Sequence, residues 1–425
     1  MFLKKEKADV LKEAPLGYWE EKSYMLVIPK DDNEDLITPI FERISTIENI
    51  EIKEKRYLTE NEPGSIKLIY ENEEYELGFY PSNFSLPQSY IKGPYHFSTE
   101  EIENLTNARK ALTIFMEFKK DSKKSFHLQL KIAVAIVPNL IGIMDESAEK
   151  MLPAKWAIMA ANSKILPSAN DLYTIQAVSD KNGEVWLHTH GLCRCGLTEL
   201  EILDSDVKNY KNHYNLISTF ASYLLDKNYE FNINENSTYI GMLLNRQPVV
   251  VTCVSWTKGL KEYNGNLTVG NVEDRKDGHN SRTSLIFIYK SENDEKNQKY
   301  SKVSEYNNLW GENPILFISK EETERMKELA KERFVFVKEE SKKKDNKISI
   351  KIALKTDNDD FEHIWFELIE FCGEKFKAKL LQEPYNVENM HEGDENWYTV
   401  EEVTDWVIYT PNFTVTPGKA YLLEK

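Results

Sequence analysis

Phe126-His-Leu-Gln-Leu-Lys-Ile-Ala-Val-Ala-Ile-Val137 is the stretch on which the fold turns. Phe126, Leu128, Leu130, Ile132, Val134 and Ile136 alternate as in a strand, yet the same run fits a buried helix. We read it as a helix ended at Pro138, which cannot continue one, with Leu140 to Met144 as the next strand. Helices and strands then alternate on both sides of it, and the chain is α+β.

Towards the N-terminus, Tyr24 to Pro29 reads as a short buried strand and Leu36 to Ile44 carries apolar residues at helical spacing. Ile50 to Tyr57 reads as a strand. Ser65–Tyr70 and Tyr75–Tyr80 flank Glu71 to Glu74 as a hairpin. Ser98-Thr-Glu-Glu101 is a capping box that opens a helix, and Leu112 to Phe118 is a further strand. Taken as β-α-β-β-α-β, this order is that of a ferredoxin-like unit over residues 1–120.

Towards the C-terminus, residues 121–332 form a mixed α/β region. Pro153 stands at the first position of a helix through Ala161. Leu172–Val178 and Val185–Leu187 are strands turned at Lys181-Asn182-Gly183, Asp206–Leu225 is a long amphipathic helix, and Val249–Val254 and Leu285–Tyr289 are strands. Tyr263 to Arg282 is a long polar connection, and such loops are often functional. Ser319 caps a helix through Lys331. Phe334–Val337 and Ile348–Ile352 flank the charged run Lys338–Lys347 as a hairpin would. Residues 333–425 then carry short strands only, a small β-rich domain. Its tryptophans Trp365, Trp397 and Trp406 are assigned to core filling, and the acidic run Glu383 to Asp405 to a solvated loop face.

Lysine plus arginine number 54 against 70 aspartate plus glutamate, a net charge of −16. That balance argues against nucleic acid or an anionic membrane as the main partner. No apolar segment approaches the ~20 residues of a membrane span. The charged start Met1-Phe-Leu-Lys-Lys-Glu-Lys lacks the apolar core of a signal peptide. Four cysteines in 425 residues make no disulfide framework, so a reducing cytoplasm is the expected compartment. Phosphate-binding and nucleophile-elbow glycine motifs are absent.

His188-Thr-His190 carries the chemistry. Strand alternation puts both imidazoles on one face, about 6–7 Å apart at Cα, where two nitrogens can converge on zinc. Thr198 and Glu201 follow at a spacing that resembles the JAMM-type zinc isopeptidases. The resemblance implies His188, His190 and Glu201 as zinc ligands, Thr198 beside the oxyanion, and an upstream glutamate as general base, for which Glu146 and Glu149 are the candidates. The pattern departs from that family in having Thr198 for serine, Glu201 for aspartate and Gly191 for proline. Thr198-Glu-Leu-Glu201 also reads as a plain capping box. A second metal set is His188, His190, Cys193 and Cys195, suited to structural zinc. A third reading is a polar pocket of Arg194, Thr198, Asp274, Arg275, His279, Asn280 and Ser281, with the arginines holding a carboxylate or phosphate.

Residues 333–425 resemble the YegJ-like bacterial domain of unknown function, through Glu362-His-Ile-Trp-Phe-Glu-Leu368, Leu380-Leu-Gln-Glu-Pro-Tyr385, Val403-Thr-Asp-Trp-Val-Ile408 and Ala420-Tyr-Leu-Leu423. The part before it resembles an uncharacterised bacterial family often fused to such a domain, through Val137-Pro-Asn139, Leu172-Tyr-Thr-Ile-Gln-Ala-Val178 and Val185-Trp-Leu-His-Thr-His-Gly191. Neither brings an activity. The expectation is a non-catalytic cytoplasmic binding protein with no cofactor, whose partner is another protein. The alternative is a zinc metallohydrolase of peptide or isopeptide bonds.

Overall fold

The computed structural model describes residues 22–227, 236–243, 245–263, 267–275, 280, 282–310, 315–356 and 360–424. The chain divides into two compact units, Met1–Ala154 with Pro167–Ser319, and Lys155–Leu166 with Lys320–Lys425.

The first sheet of unit 1 comprises β1 (Lys22–Pro29), β2 (Ile50–Arg56), β3 (Gly64–Tyr70), β4 (Glu73–Asn83), β5 (Lys110–Glu117), β6 (Leu140–Asp145) and β7 (Lys150–Pro153). Their spatial order is β2-β3-β4-β5-β1-β6-β7, with every pair antiparallel. Helices α1 (Ile40–Ser45), α2 (Thr99–Asn107) and α3 (Ser122–Ile136) join these strands. The quoted stretch is helical, as read. Asp121 caps α3 by accepting from the Lys124 N–H, and Phe126, Leu128, Leu130, Ile132, Ala133 and Ile136 are all buried. Burial on nearly every side made its periodicity ambiguous.

The ferredoxin-like order is not what forms. Three strands separate α1 from α2, and β2 lies at the sheet edge, far from β1. Only β5-α3-β6 keeps the split βαβ form, with β1 antiparallel between its two strands. The sheet also continues past residue 120 through Pro153. The β3–β4 hairpin is as expected, turned by Glu71 and Asn72, both at positive φ.

The second sheet of unit 1 holds β8 (Thr174–Ser179), β9 (Glu184–His190), β10 (Glu199–Asp206), β11 (Ser237–Met242), β12 (Pro248–Ser255), β13 (Thr283–Tyr289), β14 (Ser301–Lys302) and β15 (Ile315–Leu316). It runs β15-β11-β12-β13-β10-β9-β8, with β14 on β13, and β10 and β13 are parallel. Thr198-Glu-Leu-Glu201 therefore enters a strand and not a helix. Leu200, Ile202 and Leu203 are buried there together with Glu199 and Glu201, so burial on both faces outweighs the capping signal.

Unit 2 holds β16 (Lys347–Lys355), β17 (Phe361–Cys372), β18 (Lys375–Leu380), β19 (Glu395–Thr399), β20 (Val403–Tyr409) and β21 (Thr414–Val415), in the order β19-β18-β17-β16-β20-β21. Ile348, Ile350, Ile352, Phe366, Phe376 and Trp406 form its core. The helix over Lys320–Glu332 closes it, and Trp406 Nε1 donates to the Ala330 carbonyl at 2.9 Å. Phe334–Val337 is not a strand of a hairpin. It belongs to a helix, Phe334–Glu340, which turns Phe334 and Val337 inward and leaves Val335 55% exposed. Of the three tryptophans assigned to the core, only Trp406 is buried there; Trp365 is half-buried and Trp397 is 45% exposed on the opposite face.

Candidate functional site

Trp186, His188 and His190 alternate along β9 and stack in a row. The ring centroids of Trp186 and His188 are 4.1 Å apart, and those of His188 and His190 4.9 Å apart at 83°. The strand runs through His190, so the histidines lie within it and not past its end. Antiparallel register places Glu201 of β10 and Gln176 of β8 on either side of His188. The turn between β6 and β7 adds Glu149, held at φ 51°. One Glu149 oxygen lies 3.6 Å from His190 Nδ1, and the other accepts from Gln176 Nε2 at 2.6 Å. The motif is thus a buried polar row, and Glu149 is the upstream acid that reaches it.

Glu201 is committed elsewhere. Arg275 grips it with two bonds, Nη1 to Oε1 at 2.9 Å and Nη2 to Oε2 at 2.5 Å, and neither side chain has exposed surface. The guanidinium also donates to the carbonyls of Asn280 (2.7 Å) and Gly270 (3.1 Å) and lies 4.8 Å from the Trp256 ring. Arg275 therefore fastens the long polar connection onto the sheet. The guanidinium takes one lone pair on each Glu201 oxygen, so a metal would have to share this carboxylate with a buried cation. Among the described residues no group of three His, Cys, Asp or Glu is arranged to hold a metal ion.

Arg194 is consumed in the same way. It pairs with Asp145 through bonds of 2.7 and 2.8 Å, donates to Ser23 Oγ at 2.9 Å and to the Leu172 carbonyl at 2.6 Å, and sits over Phe118 and Phe126. Burial opposes its charge, but Asp145 outweighs burial and raises its pKa. Arg194 and Arg275 thus serve separate carboxylates, in the first and second sheets, and form no common anion pocket. Thr198 Oγ1 bonds Ser284 Oγ at 3.1 Å and the Glu199 carbonyl at 3.1 Å, bracing the parallel β10–β13 pair. Asp274 is an exposed turn acid that accepts from the Asn271 N–H. His279 and Ser281 lie outside the described residues.

Cys193 and Cys195 flank Arg194 in a one-turn helix, and burial pushes the Cys195 thiol up to about 12. Gly191 explains one departure from the isopeptidase pattern. Its φ is 112°, and a Cβ there would meet the Leu172 carbonyl oxygen at 2.6 Å, so neither proline nor any other side chain fits.

Several important residues were missed from sequence. Glu199 accepts from Thr189 Oγ1 (2.6 Å) and from the N–H groups of Gly191 (2.8 Å) and Cys193 (3.0 Å), holding the turn after the motif. Lys150 is fully buried, donates to the carbonyls of Asp171 and Tyr173, and is lowered by burial to about 8. His213 bridges Ser205 Oγ and Asn307 Oδ1, each at 2.8 Å. Their local sequence gave no hint of these roles: Glu199 and Lys150 stand close to acids in the chain, and His213 lies among polar residues.

Two family matches divide the larger part of the chain. Residues 23–167 match the N-terminal domain of the protein of unknown function DUF4026, and residues 175–287 match its C-terminal domain. The chain belongs to the DUF4026 family. Residues 323–418 match DUF2314, described as an uncharacterised protein conserved in bacteria. The expected bacterial domains of unknown function are therefore present, and the narrower YegJ-like name goes beyond the match. The motif row lies in the C-terminal DUF4026 domain, whereas Glu149 comes from the N-terminal one. Nothing matches among the curated proteins or the solved structures.

Proposed function

We propose that this DUF4026 protein is a non-catalytic binding protein of the cytoplasm. The observation that carries the reading is the Arg275–Glu201 pair. The acid that a zinc hydrolase would use as its third ligand is spent, fully buried, on fastening a loop. Arg194, Thr198 and Glu199 are likewise engaged in joining strands and turns. All four cysteines are free thiols, which supports a reducing compartment.

The alternative, peptide or isopeptide hydrolysis by zinc on His188 and His190, requires Glu201 to leave Arg275 and strand a buried guanidinium. The discriminating assay incubates the full chain, with and without added zinc, with fluorogenic peptide and isopeptide substrates. The binding reading expects no turnover above that of His188→Ala. Turnover that His188→Ala abolishes would overturn it.

A further inference from the structure

One face of the unit 2 sheet is packed under helices, and the other is open. Alternation sends Ile350, Phe366, Phe376 and Trp406 inward and their neighbours outward. Cross-strand register then builds a strip on the outer face. Phe361 lies beside Lys355, Trp365 beside Lys351, and Glu367 beside Lys379. Leu381 donates its N–H to the Trp365 carbonyl and extends the strip. Phe361 is 55% exposed and Leu381 42%. Lys351 Nζ lies 5.7 Å from the Trp365 ring centroid, and Trp397 stands opposite Lys377.

Aromatic anchors flanked by amines are what a protein interface uses to seat apolar side chains and attract acids. The outward lysines of β16 and β18 are Lys347, Lys351, Lys355, Lys375, Lys377 and Lys379, against the outward carboxylates Glu367, Glu370, Glu395 and Asp405. On these strands the outward lysines outnumber the outward carboxylates although the chain carries −16, and Lys377 is paired with Glu395 at 2.7 Å. His363, on this strip, has its pKa lowered by partial burial and then by Lys351 and Lys327.

We propose that this face docks an acidic peptide segment of a partner protein, with its apolar residues on Phe361 and Trp365 and its carboxylates on Lys351 and Lys379. The inference rests on the binding reading above and names the surface and the chemistry of the partner. A nucleic acid fits less well, because the interleaved carboxylates would oppose an unbroken row of phosphates in a chain already strongly negative.

The test is selection of a random dodecapeptide display library on the full chain, with Lys351→Glu/Lys379→Glu as counter-target and Lys342→Glu/Lys343→Glu as a control of equal charge change. Both double variants alter exposed or half-exposed side chains, and circular dichroism confirms that they fold. Enriched peptides should combine Asp or Glu with large apolar residues. They should bind the first variant at least tenfold more weakly, bind the control as well as the native chain, and weaken with salt. No enrichment, no acidic bias, or equal binding to the first variant would overturn the proposal. So would saturable binding of a dT15 oligonucleotide, or self-association by light scattering, that the first variant alone abolishes. If the library fails and no His188-dependent hydrolysis is found, only this face is wrong. His188-dependent hydrolysis removes the binding reading whatever the library yields.

Discussion

Replacing Arg275 by methionine keeps most of the side-chain volume over Trp256 and removes the charge. Glu201 would then be a fully buried carboxylate without its counter-ion. Breaking one side of a buried pair costs about 3–5 kcal/mol, because the remaining charge has lost its solvent and its partner. The two carbonyls that Arg275 also serves, Asn280 and Gly270, each add about 1 kcal/mol if water cannot replace the lost bond. The expected loss for Arg275→Met is therefore about 3–5 kcal/mol where water replaces those bonds and about 5–7 kcal/mol where it does not. Glu201→Met alone strands the guanidinium and should cost about 3–5 kcal/mol. The double variant removes both charges and should be more stable than either single one, with a coupling energy of at least about 2 kcal/mol. Equilibrium urea unfolding of the four proteins, followed by tryptophan fluorescence, measures the cycle. A cost under about 1 kcal/mol for Arg275→Met, or additive effects in the double variant, would refute the claim that Glu201 is held by Arg275.

His213 makes a pH prediction. Its Nε2 faces the Asn307 carbonyl oxygen, whose amide nitrogen donates to Asp206, so Nε2 carries the proton and Nδ1 accepts from Ser205. Burial lowers its pKa from 6.5 to about 4, so the unfolded chain binds the proton first as pH falls. Stability should be intact above pH 6.5 and fall by about 3 kcal/mol on approaching pH 4, and urea unfolding of His213→Gln should show a shallower loss over that window. Gly191→Ala should cost at least about 2 kcal/mol, read as a lowered melting temperature, because φ 112° and the Leu172 carbonyl both oppose a Cβ. A fragment starting at Ile348 should fail to give a cooperative melt, whereas one starting at Ser319 should fold, since Ala330, Phe334 and Val337 cover the core of the last sheet.

The sequence was most legible where one signal dominated. The Glu71–Asn72 turn announced its hairpin, whereas the helix that supplies Phe126 under Arg194 was settled by Pro138 at its end, its apolar run reading equally as a strand. It misled where two signals competed. Thr198-Glu-Leu-Glu201 has the residues of a helix cap, but two-sided burial draws them into a strand. Phe334–Val337 looks like alternation, yet only Phe334 and Val337 face inward, at helical spacing. Strand order was not legible at all, because β1 pairs with β5 and β6 through contacts far apart in the chain. At the site, alternation rightly set His188 and His190 on one face. The partners that decide its chemistry are long-range: Arg275 reaches Glu201, Asp145 reaches Arg194, and Glu149 reaches His190. Both arginines looked like anion ligands from sequence because arginine is the same residue whether its carboxylate comes from a ligand or from its own chain.

The zinc content of the full chain, purified without chelator from zinc-supplemented cells, tests the central claim most directly. With Glu201 bound to Arg275, less than about 0.1 zinc per chain is expected, since a well-formed site keeps its metal through purification. About one zinc per chain, released by His188→Ala, would contradict it.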